Sequence, residues 1–586
     1  MARLPDARPQ VARRGNAGRE ALWDEKFRSD MIGRKVGITR IFLHAVNAIL
    51  PNVDAGTPQQ STCDAFPRTA ESLRRFGRML ALLVLASVLV RIPGITRPLV
   101  GNFATKSAVY AMIARNWVLD RAALSRPTID LAAGDSRAWH LMEWPASAYF
   151  AGWGWRTFGG SLDAWGRGVS ILCSAVAVML MGVYARRRLG DGAALVAASV
   201  IAFSPVSIVY GQCFMLEASV MMFTVGTLLG FERGLAARRT AAAAAWLAFA
   251  ATACSLAVAT KIYMLLLVPV LAAMLWEQHG RQPLKLQRCA VTGLLFAAAM
   301  LPTALWYLDV ARISLSTPEA ADHHPLDRAV IHAFPHPLLL GAKYYLRLSA
   351  DFATHVLTPV GALAMSAGFV VARRKLGPAN IVLLVMSLGL LIALPLKFYA
   401  ANYYYIVLLP ALALVVAAGW QVAADQLPHN TRLRAALVVV AFLFAIRYAV
   451  GPAFRTPSGD RAVETAAAAA QRNVAINEPL ATLHGSAVDL LYYCDRRGWA
   501  LNADDAEFAA RLNEAILGGA RKLLVADLPT AHRRTTTSDV LKRLPLLASG
   551  DDWQLLELPT PALHPSSQSR SLAQVADAVP KESVSR

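Results

Sequence analysis

Apolar runs of about 17–20 residues, enough to cross a hydrocarbon layer of roughly 30 Å as a helix, recur along this chain and constrain its fold more than any other feature. They lie near residues 77–95, 168–184, 193–210, 215–231, 241–259, 262–276, 289–308, 356–372, 379–396, 404–424 and 435–450. The sequence therefore predicts an α-helical polytopic membrane protein with about eleven transmembrane helices. Only 17% of the 586 residues are charged, where soluble globular proteins average about 25%. A soluble enzyme, a disordered chain and a disulfide scaffold are excluded. Six cysteines occur singly, without metal-ligand or disulfide spacing.

Charge sets the orientation. Lysine and arginine number 59 against 39 acids. In a membrane chain such an excess is read as cation-rich cytoplasmic loops rather than as nucleic-acid binding. Arg186-Arg187-Arg188, Arg233 with Arg238 and Arg239, Arg281 with Lys285 and Arg288, Arg373-Arg374-Lys375, and Arg432 with Arg434 all follow even-numbered spans. With a cytoplasmic N-terminus, every cluster is cytoplasmic, as expected for a multi-pass protein of a bacterial-type inner membrane. Residues ~96–167, ~309–354 and everything after ~451 then face a periplasm-like space.

Four regions follow. Residues 1–75 form a basic cytoplasmic segment without a cleavable signal peptide, in which 36–50 is too short to span and is read as interfacial. Residues 76–450 form the membrane domain. Residues 451–559 read as a small α/β domain, with short strands at 479–484, 522–527 and 553–558 and helix-like runs near 486–496, 504–519 and 538–548. The tail 560–586 is Ser/Pro-rich and reads as disordered.

The large first outward loop, with helix-like pieces at Lys106–Leu119 and Trp144–Gly160, suggests chemistry at the membrane surface. Its residues carry a resemblance. KSAVYAMIARNW (106–117), EWPASAYFAGWGWRTFGGSLDAWGRGVSIL (143–172) and YARRRLGDGAALVAASVIAFSPVSIVYGQCFMLEASVMMF (184–223) resemble the N-terminal half of GT-C glycosyltransferases. More narrowly they resemble the glycosyltransferase-39 group, with its protein O-mannosyltransferases and lipid A aminoarabinose transferases. That group reads D-E-x-x-Y-x-x-I-A-R in the first outward loop, matched here by Tyr110, Ile113, Ala114 and Arg115. Pro145, Phe158, Gly159, Arg167, Gly190, Ser204, Pro205, Tyr210 and Glu217 fall on its later motif positions. ATKIY (259–263) and the Tyr-rich segment starting at Lys397 resemble two further elements, so the likeness spans roughly 77–425. One departure matters: Lys106 and Ser107 stand where the group has Asp-Glu.

The resemblance implies inverting transfer of a sugar from a polyprenyl phosphate to an extracytoplasmic acceptor. Such chemistry needs a carboxylate to take the acceptor's proton and cations to hold the leaving phosphate. Glu143 and Glu217 are the candidate catalytic carboxylates; each also reads as an acid at a helix start. Asp130 and Asp135 read as solvated loop acids. Lys106, Tyr110, Arg115, Lys261, Lys397, Tyr403 and Tyr404 are the candidate donor-binding residues, set against an ordinary interfacial belt of aromatics and snorkelling cations. Arg115 also reads as the partner of an acid in its own loop. The resemblance fixes no cofactor but leaves room for a divalent ion, which some relatives bind and which would fall near Glu143, Glu217 and His140. His323, His324, His332 and His336 read as a solvated loop. The expected partners are a polyprenyl-phosphate-linked sugar, a periplasmic acceptor and membrane lipid, without nucleic acid. Two other readings stay open, a non-catalytic relative and a lipid-linked-sugar transporter.

Overall fold

A computed structural model describes residues 70–101, 104–134, 136–281, 286–316, 336–426, 431–485, 488–503 and 508–560. The basic N-terminal segment through residue 69, Asp135, His323, His324, His332 and the tail from 561 lie outside the described residues.

Among the described residues, seven helical segments are long and apolar enough to cross a membrane: Glu71–Gly94, Leu162–Leu189, Thr240–Thr260, Ile262–Gly280, Cys289–Ser314, Asn402–Gln426 and Thr431–Asp460. The pair Ala342–Val356 and Thr358–Lys375, bent by 113° at Leu357, makes an eighth if taken as one span. Against the eleven expected, the difference falls on three helices. Asp191–Phe203 and Pro378–Ala393 are too short to span alone. Glu217–Ala236 carries Glu217 at its start and Glu232 and Arg233 near its end.

Tight packing holds these helices together. Thr358–Lys375 and Leu409–Gln426 meet through small residues, because a Cβ on Gly419 would lie 1.9 Å from the Ala364 carbonyl oxygen. Such backbone approach replaces the hydrophobic effect as the cohesive force inside lipid. At one end of the bundle, Arg187 and Arg188 pair with Glu232, and Arg188 also with Glu277 at 3.1 Å. This ion-paired layer closes the face opposite the one carrying Glu217 and Lys261, since Glu217–Ala236 runs toward it and Thr240–Thr260 returns.

The α/β domain holds β3 (Leu480–Leu483), β4 (Gly498–Leu501), β5 (Lys522–Ala526), β6 (Leu546–Gly550) and β7 (Trp553–Glu557). Its sheet also takes in β1 (Thr128–Ala133) and β2 (Ser136–Trp139) from the first loop, giving the order β2-β1-β4-β3-β5-β7-β6. β1, β4, β3 and β5 run parallel, with β1 joined to β4 at Leu131↔Gly498. Two expectations are corrected here. The domain is not confined to residues 451–559, and the run 538–548 divides into the helix Thr535–Arg543 and β6. Leucines on an edge strand look helical in sequence because their spacing does not alternate.

Hydrogen bonds fasten this domain to the bundle. Tyr492 and Tyr493 donate to the two oxygens of Asp163 at 2.7 and 2.6 Å, in the first turn of Leu162–Leu189. Arg115 reaches Asp495 at 3.0 Å and the Tyr492 carbonyl at 2.9 Å. Asp163→Ala strips both tyrosine hydroxyls of a charged acceptor, each worth about 1–3 kcal/mol. The expected outcome is faster protease cleavage or hydrogen exchange around 489–495, with the membrane helices unchanged.

Candidate active site

A helix broken at one residue creates the site. Thr240–Thr260 stops at Lys261, which is extended (φ −145°, ψ 107°), and a 3-10 turn over Ile262–Leu266 resumes the path. The break frees the last carbonyls of the helix, which must find donors in this dry setting. Tyr307 donates its hydroxyl to Val258 O at 3.0 Å, and the backbone N–H of Trp144 donates to Ala259 O at 3.0 Å. The second bond docks the loop carrying Glu143 beside Lys261, just before the helix Ala146–Phe158. Glu217 opens its helix at the same face, after the turn that follows Pro205–Tyr210.

The three side chains meet. The Lys261 ammonium donates to Glu143 Oε1 and lies 3.2 Å from Glu217 Oε1. Tyr110 donates to Glu143 Oε2. Glu143, Glu217 and Lys261 are 6%, 2% and 3% exposed, so solvent does little to weaken these charges. Burial alone would push the Glu143 carboxyl up. Lys261, followed by Lys106, and the hydrogen bonds from Lys261 and Tyr110 override it and hold the group below the usual carboxylate range. Both Glu143 oxygens are thus taken, whereas Glu217 Oε2 is buried and accepts no hydrogen bond.

Aromatic rings wall the ammonium. Lys261 Nζ lies 5.8 and 5.5 Å from the ring centres of Tyr403 and Tyr404, and Lys397 Nζ lies 5.5 Å from that of Tyr404. Tyr403 to Tyr405 sit in the 3-10 segment Asn402–Leu408, where Asn402 accepts from Tyr210. Glu143, Glu217, Lys261, Tyr110, Tyr403, Tyr404 and Lys397 are therefore brought into one region, with half-buried Lys106 close enough to act on Glu143.

Arg115 is not among them. It pairs with Asp130 and reaches across to the α/β domain, so its charge is used in fastening rather than at Lys261. Asp130 is fully buried in β1 and also bonded by Asn116, which corrects the reading of a solvated acid. His140 packs edge-on against Tyr110, 6.0 Å between ring centres, and Lys261 lies between the two glutamates, near which the resemblance left room for a divalent ion. Among the described residues, the grouping with metal-ligand spacing lies instead in the α/β domain, at Asp460, His484 and Asp489. His336 accepts from the Leu338 N–H and caps a turn. Sequence reading missed Tyr307 and Asn402. Tyr263, whose buried hydroxyl has no partner, stands two residues from Lys261 in the ATKIY run that drew attention to it.

Comparisons with known proteins agree with this architecture. Residues 143–306 match the family model described as dolichyl-phosphate-mannose-protein mannosyltransferase. By sequence, no curated protein matches the chain. Among solved structures, ArnT from Cupriavidus metallidurans bound to undecaprenyl phosphate is similar with a TM-score of 0.56 at 13% identity, over 84% of this chain and 98% of that one. The archaeal oligosaccharyltransferase AglB from Archaeoglobus fulgidus, in complex with an inhibitory peptide and a dolichol-phosphate, gives 0.52 at 13% identity, over 80% and 71%. The chain has the fold of GT-C glycosyltransferases.

Removing one member of a buried ion network leaves an uncompensated charge, at a cost of about 3–5 kcal/mol. Lys261→Ala should lower thermal stability on that scale, and adding Glu217→Gln should recover part of the loss, a non-additivity that a double-mutant cycle reads directly. The pH dependence has a definite sign. A carboxyl with a depressed folded pKa contributes stability in full above its unfolded value of about 4.3 and loses it as the pH falls toward the lowered value. Unfolding of the wild type should steepen on acidification below that point, and Glu143→Gln should flatten the slope.

Proposed function

We propose that this protein is a membrane glycosyltransferase that moves a sugar from a polyprenyl-phosphate donor onto an extracytoplasmic acceptor with inversion. The observation that carries the reading is the Lys261 ammonium held between two buried carboxylates against a wall of tyrosines. The fold supports it, since ArnT, which shares that fold, was solved with undecaprenyl phosphate and AglB with a dolichol-phosphate. The site faces the periplasm in a bacterial-type inner membrane, with the N-terminus cytoplasmic, as the arginine clusters argue.

The two glutamates divide the work. Glu217 Oε2, buried and unpartnered, takes the proton of the acceptor hydroxyl as general base. The acceptor oxygen bonds to the anomeric carbon on one face while the carbon–phosphate-oxygen bond breaks on the other, and its electron pair leaves with the polyprenyl phosphate. Lys261 has three N–H donors, two of them directed by Glu143 and Glu217, and offers the remaining one to that phosphate. Lys106 and Lys397 add positive charge, and Tyr403 and Tyr404 border the carrier's first isoprene units. Glu143 is a positioning residue that aims Lys261. A lysine at 106 cannot act as a base while charged, so Lys106 serves the leaving group and the proton goes to Glu217.

The test uses the purified full-length chain in lipid nanodiscs with polyprenyl-phosphate sugars and an envelope acceptor extract. Glu217→Gln should lower kcat by about 10²–10⁴-fold with little change in donor KM, as for loss of a general base. Lys261→Ala should instead weaken donor binding. Consumption of donor by the Glu143→Gln, Glu217→Gln double variant at the wild-type rate would remove the carboxylates from the chemistry. Donor crossing the bilayer without a new glycosidic bond would make the protein a transporter.

A further inference from the structure

The last membrane helix, Thr431–Phe454, leads through a short turn, Ser458–Asp460, into Val463–Asn473 and then β3. Immediately after β3 the imidazole of His484 stands between two carboxylates. Its Nδ1 is 2.9 Å from Asp489 Oδ1 and its Nε2 is 3.1 Å from Asp460 Oδ1. One ligand-type atom from each of the three residues lies within 4.8 Å of the other two.

The position of this group in the sheet is informative. β3 and β5 are parallel neighbours. The chain after β3 turns into Asp489–Cys494, which packs with Val463–Asn473 on one face of the sheet. After β5 it leads to Thr535–Arg543, which packs with Phe508–Leu517 on the other. Loops that leave adjacent strands toward opposite faces open a crevice at the carboxyl ends, the place where open α/β sheets receive ligands. His484 follows β3 and Asp527 follows β5 at this crevice. The turn bearing Asp460 lies across it, so close that a Cβ on Gly459 would fall 2.4 Å from Asp527 Oδ2.

A separate observation points to a cation. Asp489 is fully buried, its Oδ1 accepts from His484 and from the Leu490 N–H, and its Oδ2 accepts from nothing. A carboxylate oxygen sealed from water without a donor is an arrangement that added positive charge relieves.

We propose that Asp460, His484 and Asp489 bind a divalent first-row transition ion, Zn²⁺ foremost, at the mouth of this crevice. One imidazole nitrogen with two carboxylate oxygens makes a three-residue ligand set that leaves a coordination position for water. A nitrogen ligand favours zinc or cobalt over calcium and magnesium, which take oxygen ligands throughout. The ion would fasten the turn below the last membrane helix to the central strand of the domain. It is independent of the Glu143–Lys261–Glu217 chemistry.

The probe is Co²⁺, titrated into the tag-free, chelator-stripped full-length protein in detergent. The expected result is saturable uptake of about one Co²⁺ per chain with the visible d–d absorption of a low-coordinate nitrogen–oxygen site, displaced by Zn²⁺. Asp489→Asn should weaken uptake at least ~10-fold. Because Asp489 is buried, Asp460→Asn, on a partly exposed turn, is the second variant and should weaken uptake comparably while leaving circular dichroism unchanged. Absence of the band in the wild type, or Co²⁺ affinity in both variants unchanged from the wild type, overturns the assignment.

Discussion

One ammonium between two carboxylates, sealed from water, organises this molecule. Lys261 can be charged at that depth only because Glu143 and Glu217 face it. The three residues come from separate elements: a loop, a helix start and a helix break. Satisfying the charges therefore fixes where the first loop docks on the bundle. The broken helix adds to this, since its free carbonyl at Ala259 is satisfied by the residue next to Glu143. Packing and chemistry share the same few contacts.

Much of this was legible in the sequence, for identifiable reasons. Apolar length located each of the seven membrane-length helices, though not their ends, because the hydrocarbon thickness is a fixed ruler. Glu143, Glu217 and Lys261 stood out because ionisable residues at that depth are expensive. What sequence could not supply was pairing between distant segments. TIDLAA at 128–133 is a short run whose local partner is the four-residue β2, and its place beside the rest of the sheet depends on Gly498. For the same reason Arg115 could be read as a donor-binding cation or as the partner of an acid in its own loop, as Asp130 is, but not as reaching Asp495 more than three hundred residues away. The helix count differed because apolar packing inside a bundle does not require every helix to span alone, as Asp191–Phe203 illustrates.

The α/β domain is bound to the bundle by Asp163, Arg115 and a shared sheet, each acting on the loop that also positions Glu143. Whatever loosens that interface reaches the carboxylates through a short, stiff path: the helix Ala104–Leu119 carries Arg115 at one point and Tyr110 five residues earlier. The candidate site and the domain thus share one helix.

The shared sheet also sets an order of assembly. β1 and β2 leave the ribosome long before β4 exists, and most of the membrane helices must be inserted in between. Until β4 is made, that hairpin exposes a bare parallel edge, an invitation to mispairing that the cell must guard against. Completion of the first loop's sheet consequently waits for β4, so a chain truncated before residue 498 would leave β1 without its parallel neighbour.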